Sequence, residues 1–212
     1  MSFAQLIFDL DNTLYPASRG VVERVDARIN HYLVERLGMA VDVAGSLRAR
    51  YRDAYGTTLN GLMRHHAVDP DDYLTTVHEI GVEELLSADA ALGAMLTALP
   101  QPKAVFTNGS AGHAERVLSC LGIRSHFAQV FSLESVAYVP KPERIAFETV
   151  LARLGVDGPA CVFVDDRTDN LATARALGMR TVLVGERAST SEVPVDGAIA
   201  SIHDLASLLA TF

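Results

Sequence analysis

The sequence predicts an α/β fold: a doubly wound parallel sheet with a small helical segment inserted early in the chain. Three observations carry that prediction. Five short apolar runs, rich in β-branched and aromatic residues, each end in a polar cluster. Helical segments with start and stop residues separate the later runs. After the first run, about seventy residues contain helical patterns and no convincing strand.

The first run is AQLIFDLD (4–11), and it places Asp9 and Asp11 directly at its end. Runs of this length without polar alternation suggest strands covered on both faces. The helical patterns follow as VVERVDARINHYLVERLG, VAGSLRARYRDAYG, LNGLMRHHAV and PDDYLTTVHEIG. In the last, Asp69 before Pro70 fits a helix-capping residue with acids in the first turn. LSADAALGAMLTALPQPK returns the chain to the sheet, where KAVFTNGS (103–110) reads as the second strand. SAGHAERVLSCLG starts after a Ser and stops at Gly122, as a helix does. QVFSLES (129–135) is the third strand, and PERIAFETVLARLG is a helix with Pro142 at its head and Gly155 at its tail. CVFVDDR (161–167), the helix DNLATARALG and RTVLVG (180–185) complete the series. Alternation of this kind implies parallel strands joined by right-handed crossovers. The expected division is a core of residues 1–14 plus 87–212, with a helical cap of residues 15–86 over the carboxyl edge of the sheet.

Composition bounds the function. The chain has 212 residues, 49% of them hydrophobic and 21% charged, with a formal net charge of −8. An acidic chain lacks the basic face that nucleic acid requires, yet a locally positive site inside it suits a small anion. No leader and no run of about 18 apolar residues stands out. The expectation is a soluble, cytoplasmic protein, monomer or homodimer, with neither membrane nor nucleic-acid partner. Two cysteines, Cys120 and Cys161, are too few for a disulfide framework and have no zinc-ligand spacing.

Ligands of open α/β sheets bind outside the carboxyl ends of the strands. To that rim the runs deliver Asp9 and Asp11, then Thr107 and Asn108 with Gly109 and Ser110, and later Asp165 and Asp166 with Asn170 a turn on. The loop YVPKPE adds Lys141 between two prolines. Carboxylates converging on a partly dry rim repel one another, which calls for a hard divalent cation, and oxygen-only ligands suit Mg²⁺. A hydroxyl, backbone N–H groups at a Gly-Ser turn and a lysine suit a tetrahedral anion. Metal, anion cradle and a free carboxylate together are equipment for phosphoryl transfer.

DLDNT (9–13), FTNGS (106–110), PKPE (140–143) and VDDRTDN (164–170) resemble, in order and spacing, the four motifs of haloacid-dehalogenase-superfamily phosphatases. A lone D-x-D is a weak signal; four ordered motifs are a strong one. The resemblance implies a Rossmann-like core and a Mg²⁺-dependent phosphatase of small phosphorylated metabolites. It implies Asp9 as nucleophile, forming an aspartyl-phosphate, with Asp11 as general acid and later base. Thr107, Asn108 and Lys141 would bind the phosphoryl group. The metal would sit on the Asp9 side chain, the Asp11 carbonyl and an acid of the fourth motif: Asp166 directly, Asp165 directly or through water, with Asn170 holding the water shell. A helical insertion directly after the first motif resembles the branch with a small α-helical cap. Within it, DNTLYP and YGTTLNGLMRHHAVDPDDYL look like the pyrimidine 5′-nucleotidase group, which implies a nucleoside monophosphate such as UMP or CMP as substrate. Tyr15, Tyr55 and His65 then either shape the substrate pocket or pack within the cap. Adjacent helical residues diverge by about 100°, so at most one of His65 and His66 lines the cleft.

Other readings share parts of this equipment. A sugar-phosphate phosphatase or a phosphomutase would use the same core. The dehalogenase branch resembles D-x-Y rather than D-x-D, so Asp11 favours phosphate esters. Receiver domains, which act as phosphoacceptor switches, place the acidic pair before the phosphorylated Asp and have no second Asp two residues on.

Overall fold

A computed structural model describes residues 3–185, 188 and 194–212. Six parallel strands form one sheet in the order β3-β2-β1-β4-β5-β6. They are β1 (Gln5–Phe8), β2 (Lys103–Phe106), β3 (Gln129–Phe131), β4 (Cys161–Asp165), β5 (Arg180–Val184) and β6 (Gly197–Ile199). The polar tail of each sequence run lies just beyond its strand. Phe8 pairs with Val105 on one side and Val164 on the other, so the residues that follow β1, β2 and β4 emerge on one rim. The sheet runs outward in opposite directions from β1 and β4, which is the switch point where such sheets open a crevice.

Strand side chains alternate between the faces. Leu6, Phe8, Val105, Val162 and Val164 pack with Leu92 and Leu96 of α5 (Ala90–Ala98), Val117 and Leu118 of α6 (Ala111–Cys120) and Leu205. Ile7, Ala104, Phe106 and Phe163 face the other way, onto Phe147 and Val150 of α7 (Arg144–Leu154) and Leu171 and Ala174 of α8 (Thr168–Ala176). Cys161 is buried in that second layer and Cys120 is half-buried; both are free thiols. The strand β6 and a closing helix (Leu205–Leu209) have no counterpart in the sequence reading. At three and five residues they are too short to show a period. Among the described residues, no helix is long and apolar enough to cross a membrane.

Between β1 and α5 the chain forms α1 (Val21–Glu35), α2 (Val41–Tyr55), α3 (Thr58–His66) and α4 (Pro70–Val77). Asp69 caps α4, accepting from the N–H groups of Asp71 and Asp72 at 2.9 and 3.1 Å. Tyr32 of α1 meets Tyr73 of α4 edge to face at 5.0 Å, and α2 lies along both α1 and α3. The α2–α3 contact explains the glycine in YGTTLNGL. A Cβ on Gly61 would sit within 2.6 Å of Tyr51 Cβ and closer still to the ring. Alanine gains about 1 kcal/mol of helix propensity over glycine, but overpacking costs about 1–3 kcal/mol. Because the obstacle includes Cβ, a rotamer change of Tyr51 cannot remove it. Gly61→Ala is therefore expected to lower stability by about 1–2 kcal/mol net, read as a lower urea midpoint with an unchanged slope.

Candidate active site

The turn after β1 is built to present Asp9. Its backbone N–H donates to Val164 O at 2.9 Å, which continues the β1–β4 ladder one residue past the strand. Asn12 then takes a left-handed conformation (φ 62°), tolerable for an Asn, and the chain folds back so that Thr13 Oγ1 donates to Asp9 Oδ2 at 3.0 Å. The other carboxylate oxygen, Oδ1, accepts from Lys141 Nζ at 2.7 Å.

Lys141 is 3% exposed and its ammonium is fully used: it donates to Asp9 Oδ1, to Phe106 O at 2.7 Å and to Asp165 Oδ2 at 3.0 Å. The loop that carries it is clamped by Asn108, whose amide gives Nδ2–H to Lys141 O (2.9 Å) and whose Oδ1 accepts from Lys141 N (2.8 Å). Asn108, expected to bind phosphate, lines the cavity but spends its side chain on this clamp. Burial alone would lower the Lys141 pKa; Asp165 and Asp9 outweigh it and hold the ammonium charged.

Asp165 is fully buried. Its Oδ1 accepts from Arg167 N at 2.8 Å and from Asn170 Nδ2 at 3.0 Å, and its Oδ2 from Lys141 and Asn170. Asp166 is only half-buried, and one carboxylate oxygen from each of Asp9, Asp165 and Asp166 lies within 4.8 Å of the others. One lysine cannot balance three carboxylates. Burial first, and then Asp165 and Asp166 against the opposing pull of Lys141, pushes Asp9 well above the carboxylate range. Burial and Asp165 likewise raise Asp166 to about 6. The cluster is short of positive charge, its donors are all hard oxygens, and Asn170 Oδ1 is a buried acceptor without a partner among the described residues. That set fits a hard divalent cation with a water shell.

Asp11 is turned away from this cluster. Its Oδ1 accepts from the Tyr15 hydroxyl and from His113 Nε2, the latter at 2.8 Å. Burial would raise its pKa, but the His113 charge and the hydrogen bonds from His113 and Tyr15 hold it down at about 2. His113 sits in the first turn of α6, where Ser110 caps the helix by accepting from His113 N at 3.2 Å. Its ring stacks on His78 at 4.6 Å between centroids. Burial, and then the neighbouring His113, lowers the His78 pKa to about 3, so that ring is neutral.

Thr107 is buried and its Oγ1 accepts from Gly109 N at 2.9 Å, which leaves the hydroxyl proton to donate. Asp9, Asp11, Thr107, Asn108, Lys141, Asp166 and Asn170 all line one cavity of about 860 Å³, while Asp165 lies just beneath its floor. The helical segment supplies the opposite wall, with Val22, Ile29, Arg52, Leu74 and Val77 among it. The proposed substrate contacts are not brought there. Tyr15 is buried behind Asp11, and the Tyr55 hydroxyl pairs with exposed His65 Nε2 at 2.7 Å away from the cavity wall. His66 pairs in the same manner with Tyr51. These side chains hold α2 to α3.

With this geometry in view, the comparisons with known proteins are specific. A family model described as haloacid dehalogenase-like hydrolase matches residues 4–178. The chain belongs to that family. Among curated relatives of this haloacid dehalogenase-like hydrolase, phosphoglycolate phosphatase of Rhodospirillum rubrum is 30% identical, with 96% of this chain and 88% of that protein covered. Phosphate metabolism protein 8 of Saccharomyces cerevisiae is 28% identical over 83% of this chain, which spans 60% of the yeast protein's length. Of solved structures, a HAD phosphatase from Thermococcus onnurineus superposes with a TM-score of 0.68 at 19% identity, covering 99% and 98% of the two chains. L-2-haloacid dehalogenase from Xanthobacter autotrophicus gives 0.63 at 14% identity, covering 98% of each. At those identities the structures speak for the shared fold.

Three residues at the site escaped the sequence reading. Thr13 lies four residues after Asp9, a spacing that joins side chains only once the intervening turn is known to coil. His113 lies three residues after Ser110, and a helix opening on the rim turns that position inward. His78 gave no signal, since its placement depends on how α4 docks.

Proposed function

We propose that this hydrolase is a Mg²⁺-dependent phosphatase of small phosphate monoesters, working through an aspartyl-phosphate on Asp9. The observation that carries the reading is the Asp9 carboxylate, gripped on one oxygen by Thr13 and on the other by Lys141, at a rim that also offers the Thr107 hydroxyl. Asp9 attacks phosphorus, the ester P–O bond breaks, and Asp11 gives its proton to the leaving oxygen. Asp11 is ionised in the resting site; the phosphoryl dianion arriving beside it raises its proton affinity, and it takes a proton from solvent before the P–O bond breaks. Once the alcohol has left, the same carboxylate takes a proton from water as that water attacks the aspartyl-phosphate. Asp9 and Asp166 would hold the metal with the Asp11 carbonyl, Asp165 would act through its ordered hydrogen bonds, and Asn170 would accept from a water of the shell. When bound, the metal supplies positive charge to the phosphoryl oxygens. Helices α1–α4 serve as a cap that closes the cavity and selects the ester.

The substrate class is supported at the level of small phosphate monoesters. The relatives include phosphoglycolate phosphatases and, over 39% of this chain at 34% identity, the Escherichia coli fructose-1-phosphate phosphatase YqaB. The narrower nucleotidase reading rests on the YGTTLNGL and HH segment, whose side chains here pack α2 on α3. The test is phosphate release with Mg²⁺ or EDTA from UMP, CMP, AMP, phosphoglycolate, fructose 1-phosphate and 4-nitrophenyl phosphate. Turnover that requires Mg²⁺ is expected, and its distribution over the panel names the class. Absence of turnover on every ester by the folded, metal-supplied protein would overturn the phosphatase reading.

A further inference from the structure

We propose that His113, a positioning residue, and Tyr15 lock one oxygen of Asp11 so that the other faces the phosphoryl site, and that His78 holds this lock from the helical segment. The proposal rests on the phosphatase reading above, in which Asp11 exchanges protons with the substrate. Both donors converge on Oδ1: the Tyr15 hydroxyl, and His113 Nε2 at 2.8 Å. Oδ2 lies on the side of Gly109. A Cβ built there would be 3.6 Å from Asp11 Oδ2 and 3.3 Å from Thr107 Oγ1, so the free oxygen and the phosphate-facing hydroxyl flank the same point.

The lock is itself held. An ionised carboxylate only accepts, so His113 must carry a proton on Nε2. The ring is 1% exposed and cannot turn without meeting its neighbours. One face stacks on His78 at an interplanar angle of 25°. Gly109 leaves the room the ring occupies, since a Cβ at that position would come within 3.1 Å of His113 Cδ2. His78 is fixed in turn, with Nδ1 against Leu74 O at 2.8 Å and its own carbonyl accepting from Arg116 Nη2 at 3.0 Å. His78 ends α4, whose Leu74 and Val77 line the cavity wall. The orientation of the proton-transfer group is thereby registered to the element that contacts the rest of the substrate.

A misoriented acid harms esters in proportion to how badly the leaving oxygen needs a proton. The test is therefore single-turnover release of alcohol from 4-nitrophenyl, phenyl and benzyl phosphate by wild type, His113→Leu, His113→Gln and Tyr15→Phe, each checked for a native melt. For His113→Leu the expected loss is on the order of 100-fold with benzyl phosphate and a few-fold with the nitrophenyl ester, with KM little changed. His113→Gln, which returns a donor near the Nε2 position, recovers most of the loss. Tyr15→Phe removes the second donor on the same oxygen without altering shape, shows the same leaving-group trend, and decides the matter should His113→Leu not fold. Equal losses across the three esters, or no loss in either donor variant, would overturn the proposal. Wild-type protein that releases no alcohol from any ester would instead overturn the phosphatase reading on which it rests.

Discussion

Asp9→Asn is expected to abolish phosphate release, by on the order of 10⁴-fold or more, while leaving the metal-free protein slightly more stable than wild type. The first effect follows from the proposed role: an amide oxygen cannot carry the phosphoryl group as a carboxylate does, and no other acid lies where Asp9 is held. The second follows from crowding. Burial and the neighbours Asp165 and Asp166 raise the Asp9 pKa despite the Lys141 ammonium, so the native state takes up a proton more readily there than the unfolded chain. An acid with a raised native pKa contributes stability that is fully present below its unfolded value and fades as pH rises through the folded one. The variant keeps the shape without that loss. In EDTA its thermal midpoint should match wild type near pH 4 and exceed it by roughly 2–4 °C at neutral pH, about 1 kcal/mol for a chain of this size. An equal or lower midpoint at neutral pH would show that the ionised carboxylate is a net stabiliser.

Lys141→Met should be the most damaging substitution to the fold. The side chains are of similar length, so packing against the rings of Phe106 and Phe163, whose centroids lie 5.1 and 5.4 Å from Nζ, is largely kept. What goes is the cation that bridges Asp9 and Asp165. Removing one member of a buried pair costs about 3–5 kcal/mol, because the remaining charges stay buried without compensation. Urea unfolding in EDTA should show that loss, together with absence of turnover. Coupling should also be visible: Asp9→Asn added to Lys141→Met is expected to restore part of the stability, since it removes one of the two stranded carboxylates. A double variant whose losses simply add would rule out the shared bridge.

The strand ends were legible because each apolar run stops at residues that no sheet interior tolerates, and that abruptness locates the rim before any coordinates. Asp9, Thr107, Lys141 and Asp166 could be brought to one cavity on paper for this reason. Side-chain direction was not legible. Asn108 follows a strand end as a phosphate-binding residue should, yet both ends of its amide are taken by the Lys141 backbone. Tyr15 is near the site in sequence and in space, but it faces the back of Asp11 because Asn12 reverses the chain. His65 and Tyr55 were placed by analogy with a motif whose physical content here is the fit of Gly61 under Tyr51. Such outcomes depend on how two helices meet, which spacing alone does not encode.

The position of β1 has a consequence for how the chain is made. It is one of the sheet's two central strands, yet both its neighbours are translated long after it: Leu6 pairs with Lys103 on one side and Val162 on the other. A nascent chain halted before β4 leaves one edge of β1 bare, an invitation to pair with other chains. Asp9 then lacks Asp165 and Asp166, which follow in the chain. The four helices encoded next contact mostly one another and can form early, before the ribosome supplies the half of the sheet that completes the site.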